Sequence, residues 1–408
     1  MYNLNKFTKI MLFIYFAVNV MAYLRILYFN ELIGDFVGFK FDLISLNFSL
    51  LLILLSCYLS VKIAFIFYKN INFKREIYRF NYQNTTGFLI FFIQCFFILY
   101  FISSGTRVAG SNYRDPSIWS IFWVLLPADS LFLIYYALTE KRSFIYFLNL
   151  FTAVLSNIIR GWSGIFFIIG YFEFYNYISK NKNLNIYIIS FLIILILILY
   201  PFIFLFKLFL RDYISTGFTI GNLLMAFTQT LDFIFETSFS VIYSDYSLFS
   251  LIDRLQLVAN LTGIIDNLNG ISSYLGADQF YPFWMDGLHG IAFDRILGFA
   301  PRESLGSALG YLISNDQSAS LSWVVNSSLT AWLFIDPLLS PLFILYITIL
   351  IFFCAYICKY IIDSDKSINL VIFTCFFYLI PGWLMVFNTM LYSFIIFILL
   401  VKFSKLIK

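Results

Sequence analysis

The chain has 408 residues, of which 61% are hydrophobic and only 12% charged, with a net charge of +4 and a mean hydropathy of +0.88. A soluble domain carries roughly 25% charged residues, so half of the usual solvating surface is missing. A water-soluble globule, a disordered chain, a nucleic-acid-binding protein and a disulfide scaffold are all excluded, and an all-α polytopic membrane protein remains.

About 20 apolar residues cross a bilayer. Ten such runs are predicted, at 8–28, 43–67, 86–103, 118–138, 143–159, 162–178, 186–207, 339–360, 368–384 and 386–401. The first follows Lys6 and Lys9 without a small-residue cleavage signature, so it is expected to stay as an anchor. Pro127 is expected to kink the fourth run beside Asp129, an intramembrane carboxylate for which Arg25 is the candidate partner. Between runs seven and eight, residues 208–338 hold 12 of the 22 acids. Within them, 222–243 places Asp232 and Glu236 on one helical face, and 321–335 is too short to span. Both are expected to lie on the membrane surface. The chain therefore divides into spans one to seven (1–207), a large external loop (208–338) and spans eight to ten (339–408). Cys57, Cys95, Cys354, Cys358 and Cys375 all lie in apolar runs and are expected to pack as small hydrophobes.

Lysine and arginine orient the chain, because cytoplasmic loops retain them. Of the 26 cations, 16 fall on one side, together with both termini, and 13 of those are lysine. Eight of the other ten are arginine: Arg25, Arg107, Arg114, Arg160, Arg211, Arg254, Arg295 and Arg302. A planar guanidinium suits bidentate grip on phosphate or carboxylate. Arg107 and Arg114 lie in the turn SSGTRVAGSNYRDPS, and Arg160 lies in NIIRGWSG. Arg295 and Arg302 lie in HGIAFDRILGFAPRESLG, where His289, the single histidine, precedes them. Pairing with the neighbouring acids Asp294 and Glu303 is the structural alternative for the last two. Motifs of soluble enzymes are absent, and one histidine excludes a multi-His metal centre.

The ten Phe/Ile/Tyr-rich spans, the short loops, the large external loop and the RG turn at Arg160 together resemble the Wzy-type O-antigen and capsule repeat-unit polymerases. Arg295 and Gly306 also reproduce an R-x(10)-G spacing found in external loops of some members. The resemblance implies a fold of the GT-C type and a glycosyltransferase of the bacterial inner membrane that works without metal or other cofactor; the cation split has already placed both ends in the cytoplasm. It implies transfer of a growing glycan from undecaprenyl pyrophosphate onto a new lipid-linked oligosaccharide repeat unit, with a chain-length regulator and a flippase as pathway partners. On that reading Arg107, Arg114, Arg160, Arg295 and Arg302 hold pyrophosphate or glycan, and electrostatic stabilisation of the leaving group carries much of the catalysis. An imidazole exchanges protons near neutrality, so His289 is a candidate base for the acceptor hydroxyl, alongside Asp286 and Asp294. Arg160, Arg295 and Arg302 are expected to converge on one cavity. An O-antigen ligase, which shares the donor, and a repeat-unit flippase, which is a transporter, are the alternatives.

Overall fold

The computed structural model describes residues 4–73, 77–78, 82–104, 118–140, 142–180, 200–213, 219–236, 248–275, 280–300, 302–314 and 324–407. Among these the chain is helical, with no strand beyond one isolated bridge between Phe280 and Glu303. The helices are α1 (Lys6–Phe29), α2 (Leu43–Asn70), α3 (Gln83–Ser104), α4 (Ile118–Leu125), α5 (Ala128–Leu138), α6 (Phe144–Ile159), α7 (Gly164–Lys180) and α8 (200–213). They continue as α9 (Ile220–Glu236), α10 (Leu248–Leu255), α11 (Val258–Asp266), α12 (Leu268–Leu275), α13 (Leu288–Ile296) and α14 (Leu305–Ser314). The last are α15 (Trp332–Ile335), α16 (Ser340–Ile361), α17 (Asp365–Thr374) and α18 (Leu384–Leu406).

Six helical stretches among the described residues are long and apolar enough to cross a membrane: α1, α2, α3, the α4–α5 pair, α16 and α18. The protein is therefore an α-helical, multi-pass membrane protein. Of the remaining predicted runs, α6 is apolar but shorter, and most of 186–207 lies outside the described residues. The run at 368–384 is an α-helix to Thr374, then a π-helical turn at Cys375–Leu379, then a bend at Gly382. Run four is two helices, because Pro127 has no N–H to offer the preceding turn and the chain restarts at Ala128. In the large loop, α9 exposes both Asp232 and Glu236, as its amphipathic pattern requires.

The chain divides into two compact units, the first comprising residues 1–86, 137–140 and 255–408, and the second 87–136 and 141–254. The predicted external loop is thus shared between the units, with the boundary at residues 254 and 255. In the first unit, α2 packs against α16 and α11. Several polar side chains buried there bond to the backbone, which lowers the cost of enclosing them. Asn19 donates to the Tyr15 carbonyl (2.9 Å) and accepts from the Leu257 N–H (2.9 Å), while Asn260 donates to the Asn326 carbonyl (3.0 Å). At the far end of α2, the Tyr68 hydroxyl accepts from the Ser364 N–H (3.1 Å), and Lys359 donates to the Tyr68 carbonyl (2.9 Å). Gly382, at φ +86°, lets the bend touch residues 327–328: a Cβ there would lie 2.5 Å from Ser327 Oγ. The second unit is held by aromatic contacts and by Asn149, which donates to the Gly87 carbonyl (2.9 Å) and accepts from Gln94 (2.8 Å).

Candidate active site at the N-terminal ends of α16 and α18

Residues 280–303 form a closed segment of the first unit. The Tyr281 N–H donates to the Glu303 carbonyl (2.9 Å), tying its two ends together. Phe283 anchors it by edge-on ring contacts with Trp332 (5.9 Å) and Phe343 (5.1 Å). Asn388, near the start of α18, donates to the Asp286 carbonyl (2.8 Å) and to the Tyr346 hydroxyl (3.3 Å). The segment therefore sits at the N-terminal ends of α16 and α18, away from Lys359, Lys402 and Lys405 at their C-terminal ends.

The three candidate bases have different environments. Asp294, on α13, is buried and takes a two-pronged bond from Arg302: Nη2 to Oδ1 at 3.1 Å and Nε to Oδ2 at 3.3 Å. The Arg302 guanidinium holds its carboxyl below the usual carboxylate range. Asp294 is thus engaged with Arg302, the pairing that the sequence offered as the structural alternative. Arg302 also lies over the Tyr281 ring (5.0 Å) and stays partly exposed.

Asp286 is 2% exposed and its Oδ1 finds no hydrogen-bond partner among the described residues. Burial pushes its carboxyl up to about 7. It therefore exchanges a proton near neutrality, although its oxygens are enclosed.

His289, in the first turn of α13, is exposed, with Nε2 2.7 Å from the Trp284 carbonyl oxygen. A carbonyl only accepts, so Nε2 donates to it, and the neutral tautomer that fits this bond has its lone pair on Nδ1. Gly287 leaves room for this arrangement, because a Cβ there would stand 2.8 Å from Nδ1. Arg295 is exposed in the last turn of α13. Gly306, the glycine of the R-x(10)-G spacing, packs against the Val325 carbonyl, which would lie 2.7 Å from an added Cβ.

Arg160 and Asp129 belong to the second unit and pair with each other (Nη2 to Oδ1, 2.8 Å). Asp129 is thus paired with Arg160 and not with Arg25, which is half-buried on α1. Arg160 caps the C-terminus of α6, where a cation is favoured by the helix dipole, and its Nε donates to the Ser156 carbonyl (3.1 Å). Phe101 (4.8 Å), Trp123 (5.4 Å) and Trp162 (5.7 Å) surround its guanidinium, leaving the residue 1% exposed. Its guanidinium is enclosed by these rings and held by the Asp129 carboxylate. Arg107 and Arg114 lie outside the described residues.

Sequence reasoning did not single out Tyr281, Tyr346 or Asn388, nor the Phe101–Trp123–Trp162 enclosure. With 29 tyrosines and 53 phenylalanines in the chain, no composition or spacing signal separates these from packing residues. Comparison of the chain with protein-family models, curated proteins and solved structures finds no match.

Proposed function

We propose that the protein is a membrane glycosyltransferase that polymerises lipid-pyrophosphate-linked oligosaccharide repeat units, with residues 280–303 as its reaction site. The observation that carries this reading is an exposed imidazole with a free Nδ1 and Arg295 on one short helix, followed closely in the chain by Arg302, which a buried carboxylate of that helix locks in place. The acceptor hydroxyl oxygen bonds to the anomeric carbon of the donor glycan, and its proton passes to His289 Nδ1. The bond from that carbon to the pyrophosphate oxygen breaks, and the electron pair leaves on the pyrophosphate. Arg295 and Arg302 oppose the charge that develops there. Asp294 keeps the Arg302 fork oriented, and the wider set of ten spans brings the segment to the outer face, opposite the lysine-rich ends.

Deletion of the gene in its native strain, followed by analysis of surface glycan length, tests the proposal. The expected result is lipid cores carrying one repeat. Polymer stranded on its lipid carrier would instead assign the ligase activity, and absence of repeats outside would assign the flippase.

A further inference from the structure

Helix α13 turns large apolar side chains outward, although its segment also carries the polar residues of the reaction site. His289, Phe293 and Ile296 follow one another at spacings of four and three and so share one face. Gly290 and Asp294 are buried on its inward side. Phe293 is exposed, and Ile296 is 82% exposed. The apolar surface continues past the helix end through Leu297 and Phe299, the latter 63% exposed, and Trp284 is exposed on the chain that leads into the helix. This outward display is fixed by the backbone. Gly298 takes a left-handed φ of +76°, the Phe299 N–H donates to the Asp294 carbonyl (2.8 Å), and the Gly298 N–H donates to the Arg295 carbonyl (3.3 Å). That pair of bonds closes a helix C-terminus and holds the residue after the glycine in one place. A lone exposed Ile or Phe is ordinary, but five large apolar side chains exposed within residues 284–299 mark a contact surface.

The depth of the segment identifies what covers that surface. Asn388, which donates to the Asp286 carbonyl, stands four residues inside α18, and Tyr346, whose ring packs on Phe283 (5.5 Å), stands six inside α16. At 1.5 Å per residue, these points lie about 6 Å and about 9 Å along their helices. Both helices are long and apolar enough to span, and both turn apolar within their first turn. An interfacial helix beds about 5–10 Å into the boundary between headgroups and acyl chains, which is the same level. From that level α16 exposes Leu342, Leu345 and Ile349 at spacings of three and four, so its apolar outer row begins where the α13 segment sits. Trp284 at one edge and the exposed Arg295 beside the apolar face complete the composition of an interfacial helix.

We propose that the Phe293–Ile296 face of α13, with Leu297 and Phe299, is embedded in the bilayer surface at the N-terminal ends of α16 and α18. The occupant of the apolar patch is the membrane itself, at the level of the headgroups and the first part of the acyl chains. His289, one turn before Phe293 on the same face, then stands at headgroup level, where a lipid-linked substrate presents its pyrophosphate. That consequence for the substrate rests on the transfer reading, whereas the membrane contact does not.

The test places single cysteines by Ile296→Cys and Phe299→Cys in a Cys95→Ser background, the other four native thiols being buried. Full-length protein labelled with bimane is reconstituted in phosphatidylethanolamine–phosphatidylglycerol vesicles. It is quenched in separate arms by iodide on both sides, by phospholipid with a nitroxide near the carbonyl end of its acyl chain, and by phospholipid with the nitroxide near the methyl end. Leu345→Cys on α16 and Glu140→Cys in the turn before α6 are the lipid and water references, all four positions being exposed. Iodide quenching at Ile296 and Phe299 is expected to be several-fold weaker than at Glu140. The shallow nitroxide should quench both positions several-fold more than it quenches Glu140, and more than the deep nitroxide does. The two labels report independently, so one poorly expressing variant leaves the test decisive. Iodide quenching equal to that at Glu140 places the face in water, and protection from iodide and nitroxide alike places it against protein, a second copy included; either result overturns the proposal. No transfer activity enters the readout, so that failure would leave the proposed reaction standing.

Discussion

Replacing Asp286 by Asn keeps the side-chain shape and removes the ionisation. The carboxyl moves from an ordinary value of 3.8 to about 7 in the folded protein because burial disfavours its charged form. A raised folded value means that the folded state holds its proton more tightly than the unfolded one. The associated stability is full below about 3.8 and is lost as pH rises through about 7. About three units at 1.36 kcal/mol each give a penalty of about 4 kcal/mol above pH 8, as an upper bound. Between pH 5 and pH 8 the penalty grows by about 2.5 kcal/mol on the same arithmetic. Asp286→Asn should therefore gain stability relative to the parent as pH rises, by a few degrees in Tm across that window. Against this stands the amide's own unpartnered hydrogens, worth about 1–3 kcal/mol, which lower the variant at every pH without changing the slope. Thermal unfolding of purified parent and variant in one detergent, from pH 5 to pH 8, reads the slope directly. Parallel pH profiles would refute the claim that Asp286 titrates inside the fold.

Gly287→Ala should abolish transfer while leaving protein level near normal, because the new methyl group crowds His289 Nδ1 at 2.8 Å; unchanged surface glycan length would remove Nδ1 from the reaction. Asp294→Asn should destabilise the segment by about 1–3 kcal/mol at neutral pH through loss of the charged fork on Arg302. The Asp294 carboxyl is held low, so the parent's advantage is present above the ordinary carboxyl range and disappears as pH falls through the folded value. An acid-unfolding comparison that shows no convergence of the two proteins would count against it. Arg160→Lys should lower Tm by an amount equivalent to about 2 kcal/mol, since an ammonium cannot keep both the Ser156 and Asp129 bonds or stack on the three rings. If the loss is in transfer rate with Tm unchanged, Arg160 contacts substrate instead of bracing its unit.

The membrane class was legible because hydropathy reports on lipid directly, and the long spans α1, α2, α3, α16 and α18 were placed to within a few residues. The break at Pro127 was readable as a kink, but not that two separate helices result. Pairing was less accessible. Asp129 finds Arg160, 31 residues away in sequence, and Arg302 finds Asp294 across a helix although Glu303 is its chain neighbour. These choices depend on where α5, α6 and α13 turn their faces, which local periodicity does not encode. The distinction between Asp286, enclosed and neutral-leaning, and Asp294, ionised by its arginine, comes from tertiary burial and needed coordinates. His289 was identifiable as the one histidine, but its free nitrogen was not, because the Trp284 carbonyl that fixes the tautomer is a product of the fold.

The most direct measurement is the reaction itself. The purified protein, reconstituted in liposomes, would be given a single defined oligosaccharide repeat on an isoprenoid pyrophosphate, with His289→Ala and Arg302→Ala as paired controls. The account predicts a ladder of products differing by one repeat, one equivalent of free isoprenoid pyrophosphate per bond formed, and loss of both signals in the two variants. A full ladder from His289→Ala, or no product longer than the supplied repeat from folded parent protein, would contradict it.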